Sequence, residues 1–478
     1  MNFSQKIVLI IGAATALCAT AVLKQNTSKN NQQDSQSSTL QAPAVIQKDP
    51  LYWNWKSIDT TQIAFPKNFL WGVATSAHQT EGNCINNDWA AWEKTQKIAQ
   101  TGGACNHWNT YKKDIQLIKQ NKFNTYRFSI EWSKVEPKQG HWDEAALKHY
   151  EDVCKELIKQ GIKPVITLHH YTNPIWFVQL GGFEKEKNIQ YFVRYCTKVF
   201  ERLNTYAHLW LTFNSPTSCV ARAYHKKLAP PAKENMQLMQ EVLKNMLEAH
   251  VQVYHTLKKL PHGAQAQIGI CHNIYQIEPK KFWDKTGASI AYKLFNDNIY
   301  QFFKTGHFNA SVPFNVSLKY HNPKAKGALD FIGLNYYSHG LMNNFNVNAH
   351  PSEMRTQQEM YTIYPEGFYR AIQEVSTEFA KPLKIPIYVT ENGIATNNEK
   401  DRELFFQRYL YALSYAIHQG CPVKGYIVWS LLDNYEWGSY DMHYGIYSVD
   451  FKTQMRGTQP RAGAHYLINI VKSFETHL

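Results

Sequence analysis

Two ionisable residues carry most of the chemistry open to this sequence. Glu391 lies in the run Tyr388-Val389-Thr390-Glu391-Asn392-Gly393, and Arg127 lies inside Tyr126-Arg127-Phe128-Ser129-Ile130. A guanidinium within an apolar strand needs a carboxylate partner, because an unpaired buried charge is costly. Glu391 is the natural partner, and the pairing would keep it ionised as a nucleophile. Other apolar runs end in Gln79, His169-His170-Tyr171, Asn214-Ser215, His272-Asn273, Asn335-Tyr336-Tyr337, Trp429 and, just beyond, Glu436-Trp437. Singly these have plain structural readings: Gln79 as a capping amide, His170 as a satisfied buried histidine, Glu436 as a loop acid. Together they suit a polyhydroxylated ligand, since amides, imidazoles and carboxylates bond hydroxyls while indoles stack on a ring face.

The elements that would position them alternate along the chain. Strands are expected at Phe69–Ala74, Thr125–Ile130, Pro164–Leu168, Leu209–Phe213, Gln267–Cys271, Phe331–Asn335, Pro386–Thr390 and Gly425–Ser430. They are almost continuously apolar, as strands buried on both faces must be. Helical segments such as Tyr111–Gln120, Glu144–Gln160, Ile189–Leu203, Met236–Leu257 and Arg402–His418 fall between them. Strand followed by helix, eight times over, predicts a (β/α)8 TIM barrel, in which chemistry collects at the carboxyl ends of the strands. An open doubly wound sheet would need a glycine-rich phosphate loop after an early strand, and the sequence has none.

The chain has 478 residues, 44% of them hydrophobic, enough for one large core. Its formal charge of +13 is spread over single lysines, with no dense basic run, which argues against a nucleic-acid partner and for a solvated basic surface. Residues 1–24 have the form of a signal peptide or N-terminal anchor. The apolar stretch Ile7–Leu23 is flanked by Lys6 and Lys24, with Ala19-Thr20-Ala21 as a small-x-small cleavage site. The expectation is export to a periplasm, cell surface or exterior, with a membrane tether through residues 7–23 left open. Residues 25–50 read as a polar linker too poor in apolar groups to order itself, and 51–478 as one catalytic domain. The dispersed cysteines form no CxxC pair for a metal, and a Cys84–Cys105 bridge is the one pairing to consider.

From about Phe65 onward the sequence resembles glycoside hydrolase family 1, the β-glucosidase-like retaining glycosidases. The resemblance is carried by the run from Phe65 to Gly82, by Tyr126-Arg127-Phe128-Ser129-Ile130-Glu131-Trp132-Ser133, by Ile387–Gly393, and by Trp429-Ser430-Leu431-Leu432-Asp433-Asn434-Tyr435-Glu436-Trp437. It implies that Glu391 is the nucleophile, oriented by Arg127 and Tyr337. Gln79, His170, Asn214, Glu436 and Trp437 would grip the sugar, with Trp429 beneath it. Glu436-Trp437 resembles the branch that takes unphosphorylated sugars, and no cofactor or metal is implied.

The same resemblance exposes departures. Ser215, in Thr212-Phe213-Asn214-Ser215-Pro216, stands where the family carries its acid/base glutamate. Tyr171 stands for a tryptophan or phenylalanine, and His443 for an arginine. A serine hydroxyl is too weak an acid and too short to protonate a departing sugar oxygen, and such help is worth roughly 10²–10⁴ in rate. Three expectations follow: a β-glycosidase impaired or restricted to activated aglycones, a catalytically silent sugar-binding or receptor-like pseudoglycosidase, or a tethered structural relic. The intact set of Glu391, Arg127 and Tyr337 favours the first. His225 is the nearest candidate for a substitute acid, against a stronger reading as a surface loop residue.

Overall fold

The computed structural model describes residues 51–312, 315–344 and 346–475. The expected leader of residues 1–24 and the expected linker of residues 25–50 lie outside the described residues. The chain divides into two compact units, Met1–Ile58 and Asp59–Leu478. Of the first, the described part holds one turn of 3₁₀ helix, Trp55–Ser57.

The second unit is a closed barrel of eight parallel strands in sequential order: β1 Leu70–Ala74, β2 Thr125–Ser129, β3 Lys163–His169, β4 Leu209–Phe213, β5 Gln267–Asn273, β6 Phe331–Asn335, β7 Ile387–Asn392 and β8 Val423–Trp429. Each expected strand is present, with shifts of one to two residues at most ends. The ladder closes where Leu70 to Ala74 of β1 pair with Gly425 to Trp429 of β8. Alternate side chains point inward, as a period of two requires. Val165, Leu211, Cys271, Phe331, Ile427 and Trp429 accordingly pack into one interior cluster, which is the bed for the polar residues above it.

The outer helices include α1 His107–Gln120, α2 Glu144–Lys159, α3 Ile189–Leu203, α4 Pro216–Tyr224, α5 Met236–Leu257, α6 Pro365–Val375, α7 Glu399–His418 and α8 His465–Glu475. In α3 the buried positions Phe192, Tyr195, Cys196, Val199, Phe200 and Leu203 repeat at three and four, the spacing of one helical face against the barrel. Side-chain caps set several starts: Asp143 accepts from the Ala146 amide, Asn235 from Leu238 and Asn398 from Lys400. A small sheet of Gln276–Pro279, His339–Asn343 and Asn346–Asn348 stands on the segments that follow β5 and β6. Cys84 and Cys105 are both free thiols, their Sγ atoms turned to the carbonyls of Ala77 and Asp433. No bridge joins them.

Candidate active site

The carboxyl ends of the strands converge on Glu391. Arg127 on β2 donates from Nη1 to Glu391 Oε1 at 2.6 Å and to the Thr390 carbonyl at 3.0 Å. Tyr337, two residues past β6, donates its hydroxyl to Glu391 Oε2 at 2.8 Å. Arg127 is only 1% exposed, so the ion pair is screened little by solvent. Two further donors are used as well: Nε to Thr167 Oγ1 and Nη2 to Asn214 Oδ1. A carboxylate held by a guanidinium and a phenol cannot swing away, and it stays aimed.

Asn214 Oδ1 accepts from both Arg127 and Asn335, which fixes the orientation of its amide. Its Nδ2 therefore donates to His170 Nε2, at 3.1 Å. Burial holds the His170 imidazole well below its ordinary pKa, so the ring is neutral and its proton sits on Nδ1. That Nδ1 is buried without a protein partner, a donor left for a ligand.

Ser215 enters the same network. Asn335 Nδ2 donates at 2.9 Å to both Ser215 Oγ and Asn214 Oδ1, and Asn335 is the register partner of Glu391 across β6 and β7. A single carboxamide thus joins the Ser215 hydroxyl to the cradle of Glu391. Ser215, Tyr171 and Trp437 all have positive φ, at 43°, 74° and 45°. Such strain in side-chain-bearing residues gathers at functional sites.

Aromatic rings line the opening. Trp437 stacks between His78 and His170 at 5.9 and 6.1 Å, and Tyr171 lies 5.1 Å from it. Tyr361 stacks on Tyr337 at 5.6 Å. Trp429 ends β8 and donates its indole N–H to Glu436 Oε1 at 2.8 Å. Burial, reinforced by the Glu391 charge, pushes the Glu436 carboxyl up to about 8.

The structure thus brings Gln79, Arg127, Tyr337, His170, Asn214, Ser215, Trp429, Glu391, Glu436 and Trp437 to one end of the barrel. Gln79 is the most committed to structure. Its amide donates to Asn434 Oδ1 and the Tyr435 carbonyl and accepts from Ser76, so it braces the loop that presents Glu436. His443 turns Nδ1 to Asp433 Oδ2, which also accepts from the Arg461 guanidinium. His225 caps the far end of α4 from Ser215, a helix length of about 13 Å away.

Other strand-end groups serve as supports. His272 bonds Asn296, and His169 bonds Asn173. His78, Cys84 and Glu131 come within 4.8 Å of one another, in the manner of a cation site. Asn87 Nδ2, however, already bonds His78 Nδ1, Glu131 Oε1 and the Cys84 carbonyl, and the Cys84 thiol is turned to Ala77. Those residues form a closed hydrogen-bond network. A separate cavity of about 840 Å³, lined by Lys163, Lys381, Lys384 and Lys424 among others, opens at the opposite, amino-terminal ends of the strands.

Asn335 belongs to the strand-end set that the sequence offers for a polyhydroxylated ligand, without a role of its own; Tyr361, Trp89 and Arg222 carry no sequence signal. All three sit on connections whose path only the fold decides.

The glycosyl hydrolase family 1 profile matches residues 61–476. Among curated proteins, β-glucosidase A of Thermotoga maritima is 27% identical, over 86% of this chain and 98% of its own. The 6-phospho-β-galactosidase of Clostridium acetobutylicum is 28% identical, over 82% and 94%. Among solved structures, a β-glycosidase from Pyrococcus horikoshii is 35% identical and superposes with a TM-score of 0.78, covering 86% of this chain and 96% of that one. The Thermotoga maritima β-glucosidase, in complex with galacto-hydroximolactam, superposes with the same TM-score at 26% identity, covering 86% and 99%. With a barrel of this topology, a carboxylate cradled by arginine and tyrosine, and a profile match over most of its length, the chain belongs to glycosyl hydrolase family 1.

Proposed function

We propose that this protein is a retaining β-glycosidase of the β-glucosidase type, with Glu391 as nucleophile and Ser215 in the place of the acid/base glutamate. The observation that carries the reading is the double grip on Glu391 by Arg127 and Tyr337, set beneath an aromatic wall. A protein that only bound sugar would have no use for a buried carboxylate held in this way.

In the first step a Glu391 oxygen bonds to the anomeric carbon and the bond from that carbon to the aglycone oxygen breaks. The electron pair leaves with the aglycone. Ser215 supplies no proton, so the aglycone departs as an anion and its acidity sets the rate. In the second step water, or a small anion such as azide, attacks the same carbon and returns Glu391 as a carboxylate. Water must lose its proton to solvent without a carboxylate base, so this step is slow, whereas azide needs no base. Glu436 supports unphosphorylated sugars as substrates, since its buried carboxyl offers a phosphate no positive charge and would repel it once ionised, above about pH 8. Sequence similarity alone does not decide this point, because the phospho-galactosidase is as similar as the glucosidase.

The Ser215 hydroxyl, engaged by Asn335, is the observation that favours the silent sugar-binding alternative. Release of dinitrophenol from 2,4-dinitrophenyl β-glucoside separates the two. Slow release that accelerates with azide, with Glu391 labelled by a 2-fluoro glycoside, supports the hydrolase. No release with or without azide leaves only binding. The leader at residues 1–24 and the linker at 25–50 support an exported protein, either released or tethered; a cell fractionation showing it solely in the cytoplasm would overturn that placement.

A further inference from the structure

The end of the barrel away from Glu391 carries charge of one sign. The segments that lead into the eight strands are residues 66–69, 121–124, 160–162, 204–208, 258–266, 322–330, 381–386 and 419–422. With the first two residues of each strand they hold ten lysines, among them Lys67, Lys163, Lys259, Lys326, Lys384 and Lys424. They hold no arginine and one carboxylate, Asp330. Asp330 is already spent, since Lys258 pairs with it at 2.7 Å and the Ile268 amide donates to it. The segment between β1 and α1, at the catalytic end, is mixed instead, with Glu81, Asp88 and Glu93 against Lys94 and Lys97. Charge that served solubility alone would have no reason to collect at one end.

Along the chain these lysines stand singly and far apart. The closed barrel gathers them, because each helix returns the chain to the same end before the next strand begins. Every strand entry except that of β4 brings at least one lysine. At the centre, Lys163, Lys381, Lys384 and Lys424 line the cavity of about 840 Å³, to which Leu70 and Leu209 add apolar wall. All four lysines are exposed, and among the described residues none of them is in an ion pair.

We propose that this end of the barrel docks on a bilayer surface rich in anionic phospholipid, which leaves the catalytic mouth turned to water. Lysine is a compact point charge on a flexible stem, suited to an array of phosphates without fixed positions; a single oxyanion is better matched by the planar fork of arginine. Charges set around a barrel axis lie in one plane, and a plane of headgroups meets more of them at once than a thread of polymer. Each lysine close to such a surface strengthens binding by roughly fivefold. The cavity leaves room for headgroups among the four central lysines, whose stems can lie along its apolar wall. With residues 1–24 kept as an anchor, the linker of residues 25–50 holds the barrel within about 30 Å of the lipid, which raises the effective concentration of the surface. The docking does not depend on the proposed hydrolysis.

The test uses the full chain with vesicles of phosphatidylcholine alone or of equal parts phosphatidylcholine and phosphatidylglycerol. Lysines are acetylated by a membrane-impermeant reagent and read site by site by mass spectrometry. Any anchoring by the leader is common to both vesicles, so the difference between them isolates charge. At low salt Lys163, Lys381, Lys384 and Lys424 should label about threefold or more slowly on the anionic vesicles, and the protection should vanish at high salt. Lys94 and Lys97 should label alike on both. Lys163→Gln, Lys381→Gln, Lys384→Gln and Lys424→Gln combined should strip protection from Lys67 and Lys326, with thermal unfolding as the check that the variant folds. Equal labelling on the two vesicles would overturn the docking, and so would equal protection of Lys94 and Lys97, or protection of Lys67 and Lys326 that survives the four substitutions. Heparin replaces the vesicles in a last arm: protection by heparin with none by anionic vesicles would assign the surface to a polyanionic polymer and overturn the membrane. Glycoside cleavage plays no part in the readout, so a failure of the hydrolase reading leaves the docking standing.

Discussion

Arg127 Nη1 lies 2.6 Å from Glu391 Oε1, although the two residues are 264 positions apart in the chain. The contact forms because β2 and β7 both deliver their carboxyl ends to the same face of the barrel, where inward-pointing residues meet above the apolar layers. It ties the stability of the fold to the chemistry of the site.

Replacing Arg127 by Met should therefore cost stability as well as rate. It leaves a buried carboxylate with only Tyr337 as partner, and breaking one side of such a pair costs about 3–5 kcal/mol. Chemical denaturation would measure it, with single-turnover glycosylation as the second readout. A loss under about 1 kcal/mol would mean that the pair is solvated in solution.

Tyr337→Phe removes one hydrogen bond to Glu391 Oε2 and no charge. A bond to a charged acceptor is worth about 1.5–3 kcal/mol, so glycosylation should slow by roughly 10- to 100-fold, and the melting temperature should fall less than in the Arg127 variant. An unchanged rate would show that the phenol does not orient the nucleophile.

Ser215→Glu should restore proton donation. Turnover of an unactivated alkyl β-glucoside should rise by about 10²–10⁴, while 2,4-dinitrophenyl β-glucoside, which leaves unaided, gains little in its first step. The variant should also lose its response to azide. Equal gains on both substrates would mean that the new side chain acts by some route other than protonation.

Glu436 makes stability depend on pH. The folded protein keeps a proton on this carboxyl up to about 8, while the unfolded chain releases it near the ordinary value of 4.5. Between those values the unfolded state binds fewer protons, so this group's contribution to stability is lost as pH rises. The melting temperature of the wild type should fall relative to that of Glu436→Gln between about pH 4.5 and 8. Parallel curves for the two proteins would place the Glu436 carboxyl in water.

Gly393→Ala should fail at the end of β7. A Cβ there would stand 1.8 Å from the Trp429 carbonyl oxygen, so β8 and its indole would have to move. Overpacking of this kind costs about 1–3 kcal/mol or more, and the displaced Trp429 should weaken sugar binding. A variant with wild-type melting and affinity would contradict that packing.

The amino-acid sequence determined the barrel, its strand order and the residues that end each strand, because those depend on local periodicity. Eight nearly continuous apolar runs separated by amphipathic stretches admit few other arrangements, and Leu209–Phe213, Phe331–Asn335 and helix Ile189–Leu203 fall where the pattern puts them. The pairing of Arg127 with Glu391 was also legible, since a guanidinium in an apolar strand can be stable in few other ways. Tertiary structure alone decided which polar residues face the cavity and which are spent as struts. Gln79 turns to Asn434 and Tyr435, and Glu131 accepts from Asn87, Ser133 and Thr172, because satisfying buried polar groups depends on neighbours far away in the chain. It alone brought Tyr361 and Trp89 to the opening. How the helices and loops beyond each strand lie against one another is set by long-range packing, and no local spacing encodes it.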